Sequence, residues 1–193
     1  MSRNKVLEAA VELFAEKGYH QASMDDIALR ANVAKGTLYY HFTGKSQLFR
    51  TIVSDGLQRI KVRIEADLNA GLALEEQIKR VIGHNLDLFT ESSGLAHIVF
   101  HELTNGIEEE VLAELKRMRE EYVRFIAGIL EEGQKLGIVR LMNSTLAAAG
   151  LLGLLDSCCD YFLSNNRQIS RDVIENFIYT TVTSGLFIGR EQG

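Results

Sequence analysis

The stretch SMDDIALRANVAKGTLYYHF, residues 23–42, decides how the rest of the chain reads. Ser23 with Asp26 three residues on has the form of a capping box, so a helix opens at Met24. Asp25 and Asp26 fall in its first turn, where the helix dipole favours negative charge. Ile27, Ala28 and Ala31 recur at helical spacing, and Asn32 fits a stop, which predicts a short helix over 24–31. After three or four residues a third helix begins near Lys35, and Thr43-Gly44 breaks the chain again. Two short helices joined by a tight turn describe a helix-turn-helix.

The segment just upstream supplies a partner for that pair. Val6, Leu7, Ala10, Leu13 and Phe14 line one face of a first helix that Gly18 ends. Ile27, Ala28, Ala31, Val33, Leu38 and Phe42 close a small core against it, and the small alanines let the helices approach closely. The opposite face of the third helix then holds Lys35, Gly36, Thr37, Tyr39, Tyr40 and His41. Consecutive residues point about 100° apart on a helix, so one of the two tyrosines is expected to be partly core, not both.

Each exposed residue type suits duplex DNA. Gly36 lets the backbone lie against base edges, and Thr37 can bond a base or touch a thymine methyl. Tyrosine hydroxyls and a histidine N–H bind phosphate oxygens on rigid rings, and Lys45 adds charge at the start of the next helix. Charge is distributed to match. Residues 1–63 hold ten Lys/Arg against six Asp/Glu, a net of +4, while the remainder carries −9. A basic end on an acidic chain meets a polyanion through that end alone. A non-specific DNA-coating protein would be basic throughout, which this chain is not.

The remaining sequence contains no proline and no alternating apolar pattern, so long helices joined by short turns are expected. They fall at about 45–70, 74–92, 95–104, 107–136, 144–164 and 170–190. Nothing at the start resembles an unbroken apolar signal segment, and TLAAAGLLGLL (145–155) is too short to span a bilayer and runs into Asp156 and Asp160. A soluble, cytoplasmic protein with no membrane partner is the expectation. The adjacent Cys158 and Cys159 imply no disulfide framework.

The order LF-x-x-KG, then S-M-D-D-I-A, then V-x-K-G-T-L-Y-Y-H-F-x-x-K-x-x-L runs without departure through residues 6–52 and resembles the N-terminal domain of TetR-type transcriptional repressors. The resemblance implies an all-α fold of about nine helices: a three-helix DNA-binding domain over 1–47 and a larger effector-binding and dimerisation domain over 48–193, with helix 45–70 linking them. It implies that Lys35, Gly36 and Thr37 face bases, that Tyr39, Tyr40, His41 and Lys45 hold phosphates, and that Ser23 touches the backbone. It also implies a homodimer on a near-palindromic operator, with recognition helices about 34–36 Å apart. A ligand-responsive repressor is expected, whose effector tilts helix 45–70 and spoils that spacing.

The last two helices are the least polar, and glycines 150, 153, 185 and 189 interrupt them at about 1 kcal/mol each. Close packing between helices 144–164 and 170–190 of two copies offsets that cost. Middle helices of the resembled family hold the effector. Phe89, His97, Phe100, His101, Tyr122, Phe125, Asp156 and Cys159 are the candidate lining, suited to a hydrophobic small molecule or acyl chain. A rival reading is a metal-binding bundle or enzyme using His97, His101 and Cys158/Cys159, with His84 nearby. Against it, His101-Glu-Leu-Thr-Asn105 fails the H-E-x-x-H pattern, and no Walker, G-x-G-x-x-G or G-x-S-x-G motif occurs. Neither an enzyme nor a cofactor is expected. On this reading Tyr40→Phe weakens binding to every duplex, whereas Thr37→Ala changes which duplexes are preferred; binding-site selection with each variant measures both.

Overall fold

The computed structural model describes residues 2–91, 108–164 and 169–186, and these fold into eight helices without a strand. They are α1 (Ser2–Gln21), α2 (Met24–Arg30), α3 (Lys35–His41), α4 (Lys45–Asn69), α5 (Leu74–Glu91), α6 (Glu109–Lys135), α7 (Ser144–Ser164) and α8 (Arg171–Leu186). The helix expected over 95–104 lies outside the described residues. Contacts gather into two units: Met1–Val62 with Asp87–Lys116, and Arg63–Leu86 with Arg117–Gly193.

In the first unit, Gly18 breaks the helical path of α1 with φ 79° and ψ 163°, a conformation that a side chain would strain. The break swings Tyr19 into the core beside Phe14 and Phe49, with ring centroids 5.6 and 5.1 Å away. Val6, Ala10, Leu13, Ile27, Leu38, Phe42 and Leu48 complete this core; Val33, expected there, is half-buried. Ser23 caps α2 as its sequence requires, accepting a hydrogen bond from the Asp26 N–H at 3.1 Å. Asn32 ends the helix in the left-handed region, φ 51°, which asparagine tolerates better than most residues. Val33 then donates back to the Ala28 carbonyl at 3.1 Å, so the turn is closed by backbone bonds. Arg30 clamps α2 onto α1 with a bidentate pair to Glu16, 2.7 and 2.8 Å. Thr43 restarts the chain by donating its N–H and hydroxyl to Gln47.

In the second unit, α6 ends where the chain turns back on itself. A side chain at Gly133 would lie 2.6 Å from Val139 Cγ2, and Gly137 takes φ 71°, so both positions need glycine. Gln134 holds the turn, donating to the carbonyls of Arg140 and Met142 and accepting from Ser144. Asn143 caps α7 through the Leu146 N–H. On α7 the buried side chains are Ala148, Leu152, Leu155, Cys159 and Phe162, at spacings of three and four; Leu146, Ala149, Gly150 and Tyr161 face outward. On α8, Ile174, Ile178 and Val182 point in while Val173 and Phe177 point out. A Cβ added at Gly150, Gly153 or Gly185 would meet nothing within 4 Å. The whole window 144–162, longer than the stretch weighed in the sequence, is long and apolar enough for a bilayer, and 28% of it is buried in the chain. Apolar residues on both faces of α7 account for that composition.

Besides Ser144, the described residues of this unit bury two polar side chains that pair with each other. Tyr122 donates its hydroxyl to Asn85 Oδ1 at 2.9 Å, and Asn85 Nδ2 donates to the Val81 carbonyl at 2.8 Å. Both residues are 5% exposed, so either one left unpaired bears a full desolvation cost. Tyr122→Phe is expected to lower unfolding free energy by about 1–3 kcal/mol, and adding Asn85→Leu to recover part of it. Urea unfolding of the two single variants and the double variant measures the coupling.

Candidate nucleic-acid interface and effector region

The third helix turns its polar face outward as the sequence implied. Leu38 is fully buried; Lys35, Gly36, Tyr39 and Tyr40 are exposed, and Thr37 and His41 are half-buried. Tyr39 is 46% exposed and Tyr40 84%, so both rings face solvent and the expectation that one is partly core is not met; Leu38 and Phe42 fill that core instead. The His41 ring lies against Tyr40, and its Nε2 is 2.8 Å from Ser2 Oγ, which fixes the ring at the end of α3. No side chain caps α3, because its cap residue is Ala34.

Two lysines of the candidate set are placed in ways their spacing did not reveal. Lys45 directs its ammonium to the carbonyls of Tyr19, His20 and Ala22, at 2.7, 3.2 and 3.1 Å, and rests over the Tyr19 ring. Its three N–H donors thus brace the end of α1, and what it offers a phosphate is charge. Lys35 forms a 2.7 Å ion pair with Asp25, which raises the lysine pKa. The sequence reading valued Asp25 only for the helix dipole.

A second polar set lies within the same unit, around Tyr19. Its hydroxyl donates to Glu108 at 3.0 Å and lies 3.2 Å from Ser46 Oγ, and burial pushes its pKa up to about 12. Burial also opposes ionisation of Glu108, but hydrogen bonds from its own backbone N–H, Tyr19 and Ser46 win and hold its pKa below the ordinary 4.5. Arg50 pairs with Glu114 at 2.5 Å. These contacts tie the start of α6 to α1 and α4. Sequence periodicity cannot reveal them, since the partners lie 89 and 64 residues apart.

Of the candidate effector residues, Tyr122, Phe125, Asp156 and Cys159 are described; the side chains of Phe89, His97, Phe100 and His101 lie outside the described residues. Tyr122 stacks on Phe125 at 6.1 Å. Asp156 pairs with Arg119, a partner absent from the sequence reading; even so, burial outweighs that charge and raises the carboxyl pKa. Burial, then the nearby Asp156, pushes the Cys159 thiol up to about 12, so it is an inert thiol at neutral pH. Near one another in this unit stand the stacked Tyr122 and Phe125, the Tyr122–Asn85 hydrogen bond and the Arg119–Asp156 pair. Among the described residues no group of three His, Cys, Asp or Glu stands close enough to hold a metal. His84 instead bonds Asp67 at 2.6 Å.

Comparison with known proteins gives two family matches in series. Residues 6–52 match the bacterial regulatory proteins of the tetR family, and residues 71–185 match the tetracyclin repressor-like C-terminal domain. The fatty acid metabolism regulator protein of Bacillus subtilis (strain 168) is 26% identical over 183 residues, 94% of each chain. The HTH-type transcriptional activator FasR of Mycolicibacterium smegmatis is 26% identical over 170 residues, 88% of this chain and 76% of that protein. The crystal structure of the transcriptional regulator FadR from Bacillus subtilis in complex with stearoyl-CoA superposes with a TM-score of 0.80 at 27% identity, covering 94% of this chain and 97% of that one.

The brace at Lys45 has a measurable weight. Lys45→Met keeps the aliphatic stem but strands three carbonyls, and is expected to cost about 1–3 kcal/mol of stability in thermal unfolding. If the charge also serves phosphate, the same variant flattens the salt dependence of duplex binding by about 0.9 in log–log slope.

Proposed function

The chain belongs to the TetR family of bacterial regulatory proteins, DNA-binding transcription regulators that respond to small ligands, and on that premise we propose a repressor whose dimer is released from its operator by a long-chain acyl-CoA. The observation behind the ligand is the FadR likeness over nearly the whole of both chains, in a complex that holds stearoyl-CoA. The lining around Tyr122 and Phe125 suits an acyl chain, and the Asn85–Tyr122 and Arg119–Asp156 pairs suit its polar end. The protein acts in the cytoplasm, where operator and acyl-CoA meet.

DNA contact falls to residues 1–47. Lys35, Gly36 and Thr37 face bases, Tyr39, Tyr40 and His41 hold phosphates, Ser23 adjoins the backbone, and Lys45 acts through its charge. The second copy packs on the outward faces of α7 and α8, where Leu146, Tyr161, Val173 and Phe177 are exposed beside glycines that leave room for a neighbouring helix.

Coupling between ligand and DNA runs along α4 and α6. Helix α6 is continuous from Glu109 to Lys135, so one rod carries Glu114 near one end and Arg119, Tyr122 and Phe125 further on. A ligand that shifts α6 bears on Tyr19 through Glu108 and on Arg50 through Glu114. Coupling free energies of this kind are about 1–3 kcal/mol, or roughly 5–150-fold in operator affinity.

Stearoyl-CoA is expected to weaken binding to a duplex selected by the purified protein by a factor in that range, while free coenzyme A and stearate leave it unchanged. Glu114→Gln together with Tyr19→Phe is expected to retain stearoyl-CoA binding by calorimetry and to lose most of the release. Operator affinity indifferent to every acyl-CoA from acetyl to stearoyl would reject the ligand assignment.

A further inference from the structure

We propose that Asp25 and Lys35 read one G·C base pair as a unit, which makes Asp25 a specificity-determining residue of the DNA interface. The inference rests on the DNA-binding reading of α3 and goes beyond it, because Asp25 lies on α2 and is not among the DNA contacts proposed above.

The pair joins the second residue of α2 to the first of α3, Lys35 Nζ to Asp25 Oδ2, at 2.7 Å. Both side chains are about 60% exposed, at 60% and 62%. An ion pair so open to water adds little to stability. The two helices are already joined through Ile27, Ala28 and Leu38, all buried. The pair is therefore cheap to keep and unnecessary for the fold, yet it stands where a recognition helix meets base edges.

A lone lysine there is a flexible point charge, and it would follow the nearest phosphate whatever the sequence. Asp25 changes that in two ways. It cancels the charge, which removes attraction to DNA in general. It also occupies one of the ammonium's three N–H donors, leaving two. In the major groove guanine presents two acceptors, O6 and N7, side by side, and its cytosine presents an N4–H donor. Two remaining donors meet two acceptors, and the free lone pairs of the carboxylate meet the cytosine donor. Adenine offers one acceptor followed by a donor, so one lysine donor would be left without a partner. The carboxylate also resists any register that brings it against phosphate.

The test is selection from a random duplex library by full-length protein: wild type, Asp25→Asn, Lys35→Ala and the double variant. The wild type is expected to select sites with a G·C pair at one symmetric position in each half. Asp25→Asn should lose the preference at that position alone. It should bind random duplex several-fold tighter, with a salt slope steeper by about 0.9 per protomer. In the Lys35→Ala background, Asp25→Asn removes an unpaired carboxylate and should tighten binding to all duplexes alike, but it should change no preference at that position. Melting temperatures close to wild type would confirm that the exposed substitutions leave the fold intact. Retention of the G·C preference in Asp25→Asn overturns the proposal. So does a shift of base preference at that position when Asp25→Asn is made in the Lys35→Ala background, which would mean that Asp25 reads DNA without the lysine, and so does a wild-type preference for A·T there. A wild type that selects no duplex overturns the DNA-binding reading together with this one.

Discussion

The seat of Tyr19 is the constraint on which the first unit depends. Gly18 takes a backbone conformation that other residues avoid, and this turns the following ring inward against Phe14 and Phe49. A buried tyrosine needs a partner for its hydroxyl, and Glu108 and Ser46 provide it. The carbonyls around the break need donors, and Lys45 provides them. One kinked glycine thus sets the end of α1, the start of α4 and the approach of α6. The helix-turn-helix is built on that frame, and its reading face can afford to be polar and aromatic, since cations around it are largely spent in pairs such as Arg30–Glu16 and Lys35–Asp25.

The second unit solves a different problem. Its helices α7 and α8 have an inward apolar stripe that fills the chain's own core and an outward apolar stripe that does not. Glycine weakens an isolated helix by about 1 kcal/mol per residue. At Gly150, Gly153 and Gly185 no neighbour among the described residues forbids a side chain. Gly133 is the contrast: Val139 lies directly over it, and the reason for glycine is internal. Two polar pairs of this unit involve buried or half-buried side chains. Asn85 with Tyr122 and Arg119 with Asp156 place directional bonds beside the buried Cys159 and the Tyr122–Phe125 stack.

Relatives that act as regulators of transcription, and a fold shared with an acyl-CoA-bound regulator, place the chain among ligand-responsive switches. In such proteins affinity for DNA and affinity for ligand are linked, so contacts far from both can matter as much as contacts to either. Glu108 and Glu114 lie far along the chain from Tyr19 and Arg50, yet bond to them.

The sequence by itself determined the helices and the side of α3 that faces out. The cap at Ser23, the stops at Asn32 and Gly137, and apolar spacing of three and four are local signals, and helix formation is a local process; Gly18, expected to end the first helix, kinks it instead. The exposed positions of Tyr40 and Gly36 followed from the same periodicity. Only the tertiary structure decided the partners. Lys45 could be assigned to phosphate from its place in a motif, but its bonds to three carbonyls depend on how α1 ends 23 to 26 residues earlier. Asp25 with Lys35, Arg119 with Asp156, and Tyr19 with Glu108 likewise join residues whose separation carries no periodic signal. A side chain's hydrogen bonds are set by which elements fold against it, and that information exists only once the helices have packed.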